Sequence, residues 1–207
     1  MCIRDSFLPS VTLAARLEGV RFALGCTLAV RRSLLEKLGG LEPLLDQLAD
    51  DWALADGVLR AGHRIVLSPL LLDHHVGEPR WGTLWLRHLR WARTMRAVRP
   101  AGYAGTFCTY GLAPAAGLAL LAGGAAGAAP LLAWAIARGG TVGLNARRTG
   151  VTAHDLVLLP LADLLSLALF VTSFLGRTVR WGDSRLRVGQ GGFIQPAAGE
   201  PATAPLR

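Results

Sequence analysis

Two groups of residues have the types and spacing to do chemistry. The first is the acidic pair Asp50-Asp51, just before Trp52. A carboxylate at a helix start can take the proton of an attacking hydroxyl if a cleft shapes its environment. The same pair also suits a helix cap, a place that Asp fills routinely by accepting free backbone N–H groups. The second group is Arg87-His88-Leu89-Arg90-Trp91. Two arginines three apart are neighbours on one helix flank. Arg87 and Arg90 could grip a pyrophosphate together, with Trp91 as a flat apolar wall. The plain alternative is a basic helix facing water or lipid headgroups.

Other chemical residues carry less. Asp73-His74-His75 suggests a metal site, but adjacent histidines on a strand point to opposite faces and do not easily share one ion. Asp163 interrupts an apolar stretch, where a carboxylate is expensive, yet Pro160 is close enough that Asp163 could sit at an interface. Cys2, Cys26 and Cys108 lack metal-type spacing and suggest neither a disulfide framework nor a zinc site. No metal ligand is assigned on this chain.

The elements that must position these groups alternate over the first hundred residues. Val11 to Leu17 has helical apolar spacing. Phe22 to Val30 is apolar and interrupted by Gly25, consistent with a strand or a loop where backbone packs closely on something. Ser33 to Leu38 reads as a short helix closed by Gly39 and Gly40. Asp50 or Asp51 opens a helix that runs to about Arg60, and Gly62 ends it. Ile65-Val66-Leu67 has a short buried-strand pattern stopped by Pro69. Met1 to Ser6 resembles neither a signal peptide nor a helix start and is set aside from fold reasoning.

From Trp81 the pattern changes. Trp81, Leu84, Trp85, Leu89, Ala92, Met95 and Val98 fall at helical spacing. Arginines at 87, 90, 93, 96 and 99 wind around that helix, and Pro100 closes it. Tryptophans with many arginines commonly lie at a bilayer surface. Tyr103 to Ala137 has no charged residue, enough for one tilted span or two short helices meeting near Gly123-Gly124. Leu156 to Leu175 is a second apolar stretch, followed by Arg177, Arg180, Arg185 and Arg187. Gly, Pro and Ala dominate from Gly189 onward, as in a disordered tail.

Composition agrees with this division. The chain is 52% hydrophobic and 17% charged, and between Glu78 and Asp155 it has no acidic residue. Such asymmetry points to a membrane or a phosphate-bearing ligand. The formal net charge is +8, and Lys37 is the only lysine. Arginine's planar fork matches phosphate oxygens, although a GC-rich genome also favours Arg codons. The long apolar region after the basic helix argues against nucleic acid.

In order, the chain shows Phe7-Leu8-Pro9-Ser10-Val11, Gly25-Cys26-Thr27-Leu28-Ala29-Val30-Arg31-Arg32, Leu38-Gly39-Gly40-Leu41, Leu48-Ala49-Asp50-Asp51-Trp52 and Arg87-His88-Leu89-Arg90-Trp91. This set resembles the ceramide glucosyltransferase family, glycosyltransferase family 21. Its closest likeness is to the bacterial hopanoid-biosynthesis-associated branch. The resemblance covers roughly residues 7 to 187 and implies the C-terminal part of an α/β GT-A fold (7–80). An interfacial helix (81–100), transmembrane helices (103–137 and 155–176) and a disordered tail (188–207) would follow. It makes Asp51 the catalytic base and Asp50 its acidic neighbour, with Arg87, Arg90 and Trp91 lining the donor and acceptor site.

The activity implied is inverting transfer of a hexose from a UDP-sugar to a membrane lipid, of hopanoid or sphingolipid type. The catalytic part would face the cytoplasm at a bacterial inner membrane. The family's Asp-x-Asp motif, which holds a divalent cation (Mg or Mn), does not appear here. The chain is therefore expected to be N-terminally truncated, and inactive alone. Two rivals are a processive polysaccharide synthase, which needs more membrane helices, and a non-catalytic membrane-anchored binding module. A transporter fragment is a third, and it would need paired polar residues deep in the apolar stretches. The enzyme reading requires Asp51 and the Arg87–Trp91 helix to face one cleft.

Overall fold

The computed structural model describes residues 7–70, 77, 80–149, 156–182 and 184–197. The readings on Met1 to Ser6, on Asp73-His74-His75 and on 198–207 lie outside them. The chain divides into two compact units, one of residues 1–17 and 104–171 and the other of 18–103 and 172–207.

The second unit contains both candidate groups. Helix α1, Leu8–Glu18, ends at its border. Helix α2 is Arg32–Lys37. Gly39 and Gly40 follow it with φ of 92° and 76°, and their N–H groups return to the carbonyls of Glu36 and Leu35. Only glycine enters that left-handed region cheaply, so the helix stops where the sequence reading placed its end. Helix α3 is Asp50–Arg60, and Gly62, with φ 78°, turns the chain out of it. Helix α4 is Trp81–Val98 and buries Leu89, Thr94 and Val98.

Three antiparallel strands follow in the order β1 (Thr178–Trp181), β2 (Ser184–Val188) and β3 (Ile194–Pro196). Val179 and Val188 point inward and form a small core with Leu48, against which Ala97, Leu186 and Ile194 pack. The sheet thus lies against α4 and the segment that leads into α3.

Two expectations need correction here, and one left open is decided. Ile65-Val66-Leu67 forms no strand, and Val66 is 86% exposed. A strand needs a neighbour to take its N–H and C=O groups, and no described segment pairs with this run. Of the two forms open to Phe22 to Val30, strand or loop, the structure has the loop. The expected disordered tail from 188 is instead structured as far as Ala197. Ile194 donates to the Asp46 carbonyl at 2.9 Å, Leu48 donates to the Gly192 carbonyl at 2.9 Å, and Gln47 bridges Phe193. A Gly-rich composition marks disorder only when no backbone partner is within reach, and here the partner is the lead-in to α3. The fold expectation holds in coarser form, as helices with a small antiparallel sheet in an α/β-like arrangement.

Gly192 is the pin of that junction. Its φ is +88°, and a Cβ there would lie 2.7 Å from Val98 Cγ1 and 3.4 Å from Gln47 Oε1. Gly192→Ala is expected to lower stability by about 2 kcal/mol, from backbone strain and overpacking together. A shift of the denaturant midpoint at unchanged slope would measure it. An unshifted midpoint would refute the close packing.

The first unit is helical. Beyond α5 (Pro100–Gly105), at the border of the units, come α6 (Leu112–Ala122), α7 (Ala128–Thr149) and α8 (Leu159–Phe174), whose last residues enter the second unit. Gly123 and Gly124 have φ of 61° and 50°, which breaks the apolar stretch near the point anticipated from sequence. Its consequence corrects another expectation: among the described residues no helix is long and apolar enough to cross a membrane. The eleven residues of α6 rise about 16 Å, against about 30 Å of hydrocarbon. The longer α7 carries Arg138, Arg147 and Arg148. The expected transmembrane spans at 103–137 and 155–176 are therefore not supported.

Inside this unit Asp163 is 2% exposed. Its Oδ2 accepts the Trp134 Nε1–H at 2.7 Å, and its Oδ1 accepts both Nε and Nη2 of Arg138, at 3.0 and 2.6 Å. The interface position proposed for Asp163 from sequence is thus replaced by burial in an ion pair. Leu120, Leu121 and Leu144, by contrast, are each 85% exposed or more.

Candidate active site

Asp50 and Asp51 occupy the first turn of α3 rather than the cap itself, which is Ala49. Asp51 accepts the Trp52 N–H on Oδ1 at 2.7 Å, and Asp50 Oδ1 accepts the Asp51 N–H at 2.9 Å. Both carboxylates therefore serve free N–H groups of the helix start, and Asp51 does so with one oxygen. The other oxygen faces Gly25: a Cβ at Gly25 would lie 3.2 Å from Asp51 Oδ2. The close packing anticipated at Gly25 is thus packing on Asp51.

This seat sets the acidity of the group. Burial raises the Asp51 carboxyl above the usual carboxylate range. The Trp52 N–H opposes that shift, the neighbouring charge of Asp50 adds to it, and the Gly25 N–H opposes it again. Asp51 is only partly buried, while Asp50 is exposed. A half-covered carboxylate with raised affinity for a proton has the character of a general base.

The second motif lies on α4. Arg87 and Arg90 are partly buried, and Trp91 is 43% exposed. His88 packs edge-on against Trp91 with ring centroids 5.3 Å apart. Burial, then the adjacent Arg87, lowers the His88 pKa, which favours the neutral ring. The Arg90 guanidinium lies 4.5 Å from the Trp181 ring centroid. One turn on, Arg93 donates to the Thr178 carbonyl, and Arg96 donates to the Gly176 carbonyl at 2.6 Å. Arg96 also stands over the Phe174 ring at 5.1 Å. The three-residue arginine spacing therefore docks one flank of α4 on the segment 174–181. Arg99 pairs with Glu18.

The structure brings Gly25 and Asp50 to Asp51, and Trp181 to Arg90. The charge that bears on Asp51 is that of Asp50, and the arginines of α4 are not among the groups that shift it. The two motifs belong to the same unit, joined through Leu48, Gly192 and Val98. Sequence reasoning missed Trp181 and the 190–194 segment. A usable signal was the run Gly189-Gln190-Gly191-Gly192 directly after an alternating strand, since clustered glycines also mark tight backbone approach.

Among the described residues no group of three or more His, Cys, Asp or Glu side chains could hold a metal ion. The described residues do not fit a divalent-cation site, and no step below is routed through one.

No curated protein and no solved structure matches the chain. The family model for glycosyl transferase family 21 matches residues 1–194. That span includes the Asp50-Asp51 pair, the Arg87–Trp91 motif and the strand segment that buttresses them. The chain thus belongs to glycosyltransferase family 21.

Proposed function

We propose that the protein transfers a hexose from a UDP-sugar to the hydroxyl of a membrane lipid, of hopanoid or sphingolipid type, with inversion at the anomeric carbon. Asp51 takes the hydroxyl proton as that oxygen attacks the anomeric carbon. The bond from that carbon to the diphosphate breaks, and the UDP departs with the electron pair. Arg87 and Arg90 offset the charge developing on the diphosphate, where cationic donors in a water-poor cleft are most effective. Asp50 keeps the Asp51 carboxylate basic, and Trp91 offers a flat wall to a sugar or lipid ring. On this reading the catalytic unit works at the cytoplasmic face of a bacterial inner membrane. The exposed leucines of α6 and α7 support contact with lipid.

The observation that carries the proposal is the seat of Asp51, half-buried with one oxygen on Trp52 and the other against Gly25. Gly25→Ala tests it. The new Cβ must push Oδ2 by a few tenths of an ångström and crowds the N–H that now favours the charged form. Both effects raise the Asp51 pKa further. A base works only when deprotonated, so the acid limb of kcat/KM should move to higher pH in the full-length protein. Displacement alone should lower transfer at neutral pH about tenfold. A variant with the parent's rate and pH profile would remove Asp51 from the chemistry.

A further inference from the structure

The β1–β2 hairpin carries a charge pattern that the Asp51 site does not use. Thr178 pairs with Arg187, Val179 with Leu186, and Arg180 with Arg185. Side chains alternate between faces along a strand. Val179 and Val188 are each 3% exposed and lie in the core, so Thr178, Arg180, Arg185 and Arg187 share the outward face, all exposed. Arg177, also exposed, immediately precedes β1.

One fact makes this face more than a solvated surface. It is a cavity of about 350 Å³ lined by Arg177, Thr178, Arg187 and Ala197. Two guanidinium forks and a hydroxyl around one opening match the tetrahedral oxygens of a phosphate group, which guanidinium binds through paired, charge-assisted hydrogen bonds.

We propose that the outward face of the β1–β2 hairpin is a phosphate-binding site in which Arg177 and Arg187 grip the oxygens and the Thr178 hydroxyl donates a further bond. The site is separate from Asp51 and does not depend on the sugar-transfer reading. Phosphate reaches it from a lipid headgroup or from solution, and the experiment distinguishes these sources.

The full-length protein is titrated with vesicles of phosphatidylcholine, with the same vesicles containing phosphatidic acid, and with inorganic phosphate. Binding is expected to prefer the phosphatidic acid vesicles. Arg177→Gln with Arg187→Gln should weaken it about thirty-fold, from two basic residues near an anionic surface. Both side chains are exposed, so the Val179–Val188 core should survive, which circular dichroism of the variant verifies. Arg21→Gln with Arg31→Gln removes the same charge from exposed positions elsewhere and should leave binding unchanged. Displacement from vesicles by inorganic phosphate assigns the site to free phosphate, and retention assigns it to the headgroup. The proposal is overturned if the hairpin variant binds like the parent or if the control variant loses as much. A parent that binds neither phosphate nor phosphatidic acid vesicles also overturns it. None of these outcomes bears on transfer activity, so failure here leaves the Asp51 reading standing.

Discussion

Asp51→Asn in the full-length protein is expected to lower sugar transfer by about 10²- to 10⁴-fold, the range that a positioned general base contributes. Nucleotide binding should stay largely intact. The amide keeps an oxygen to accept the Trp52 N–H and fills the same space beside Gly25, but it cannot take a proton.

Stability separates this from structural damage. Burial raises the carboxyl's folded-state pKa, so at pH above that value the ionised Asp51 makes the folded state less stable than a neutral side chain would. Below the ordinary carboxylate range both folded and unfolded forms are protonated, and the penalty vanishes. The Asn variant should therefore match or exceed the parent's thermal midpoint at neutral pH, with the difference closing as pH falls. Turnover at the parental rate would reject Asp51 as base. Lost turnover with a markedly lowered midpoint would instead mark it as a structural residue.

The second large effect is expected in the helical unit. Asp163→Ala removes the partner of Arg138, whose side chain is only 15% exposed, and leaves the Trp134 Nε1–H without its acceptor. Breaking a buried pair from one side typically costs about 3–5 kcal/mol, because the remaining charge stays desolvated and loses its counter-charge. That exceeds the effect of any single core truncation among the small residues of α6 and α7. Removing both charges should be far milder. Asp163→Leu combined with Arg138→Met replaces the pair by apolar groups of similar size and should recover most of the loss. Denaturant midpoints of the three proteins measure this. A loss below about 1 kcal/mol for Asp163→Ala would mean that water reaches the pair.

Several features were legible from residue types because their causes are local. Helices α2 and α3 end at Gly39-Gly40 and Gly62, and the apolar stretch breaks at Gly123-Gly124, because each glycine adopts a φ that other residues avoid. Gly25 was legible as a close approach, although its partner was not. The misreadings share a different cause. Ile65-Val66-Leu67 has strand composition, but a strand exists only with a neighbour. Asp163 was read as close enough to Pro160 to sit at an interface, and its ion pair with Arg138 was not foreseen. Their pairing joins residues 25 apart in the chain, beyond the reach of any window. Trp134 and Arg138 stand four apart, on one helix face, which was the available clue that a lone acid in another apolar stretch had a partner.

The amino-acid sequence by itself determined where helices start and stop, which positions carry ionisable groups, and the order of motifs that places the chain in its family. These follow from backbone sterics and from residue identity, neither of which requires a neighbour in space. Only the tertiary structure decided that Asp51 faces Gly25, that Trp181 stacks on Arg90, and that the glycine-rich 190–194 segment ties the lead-in of α3 to the end of α4. Each depends on desolvation and contact between distant segments, which exist only once the chain has closed upon itself.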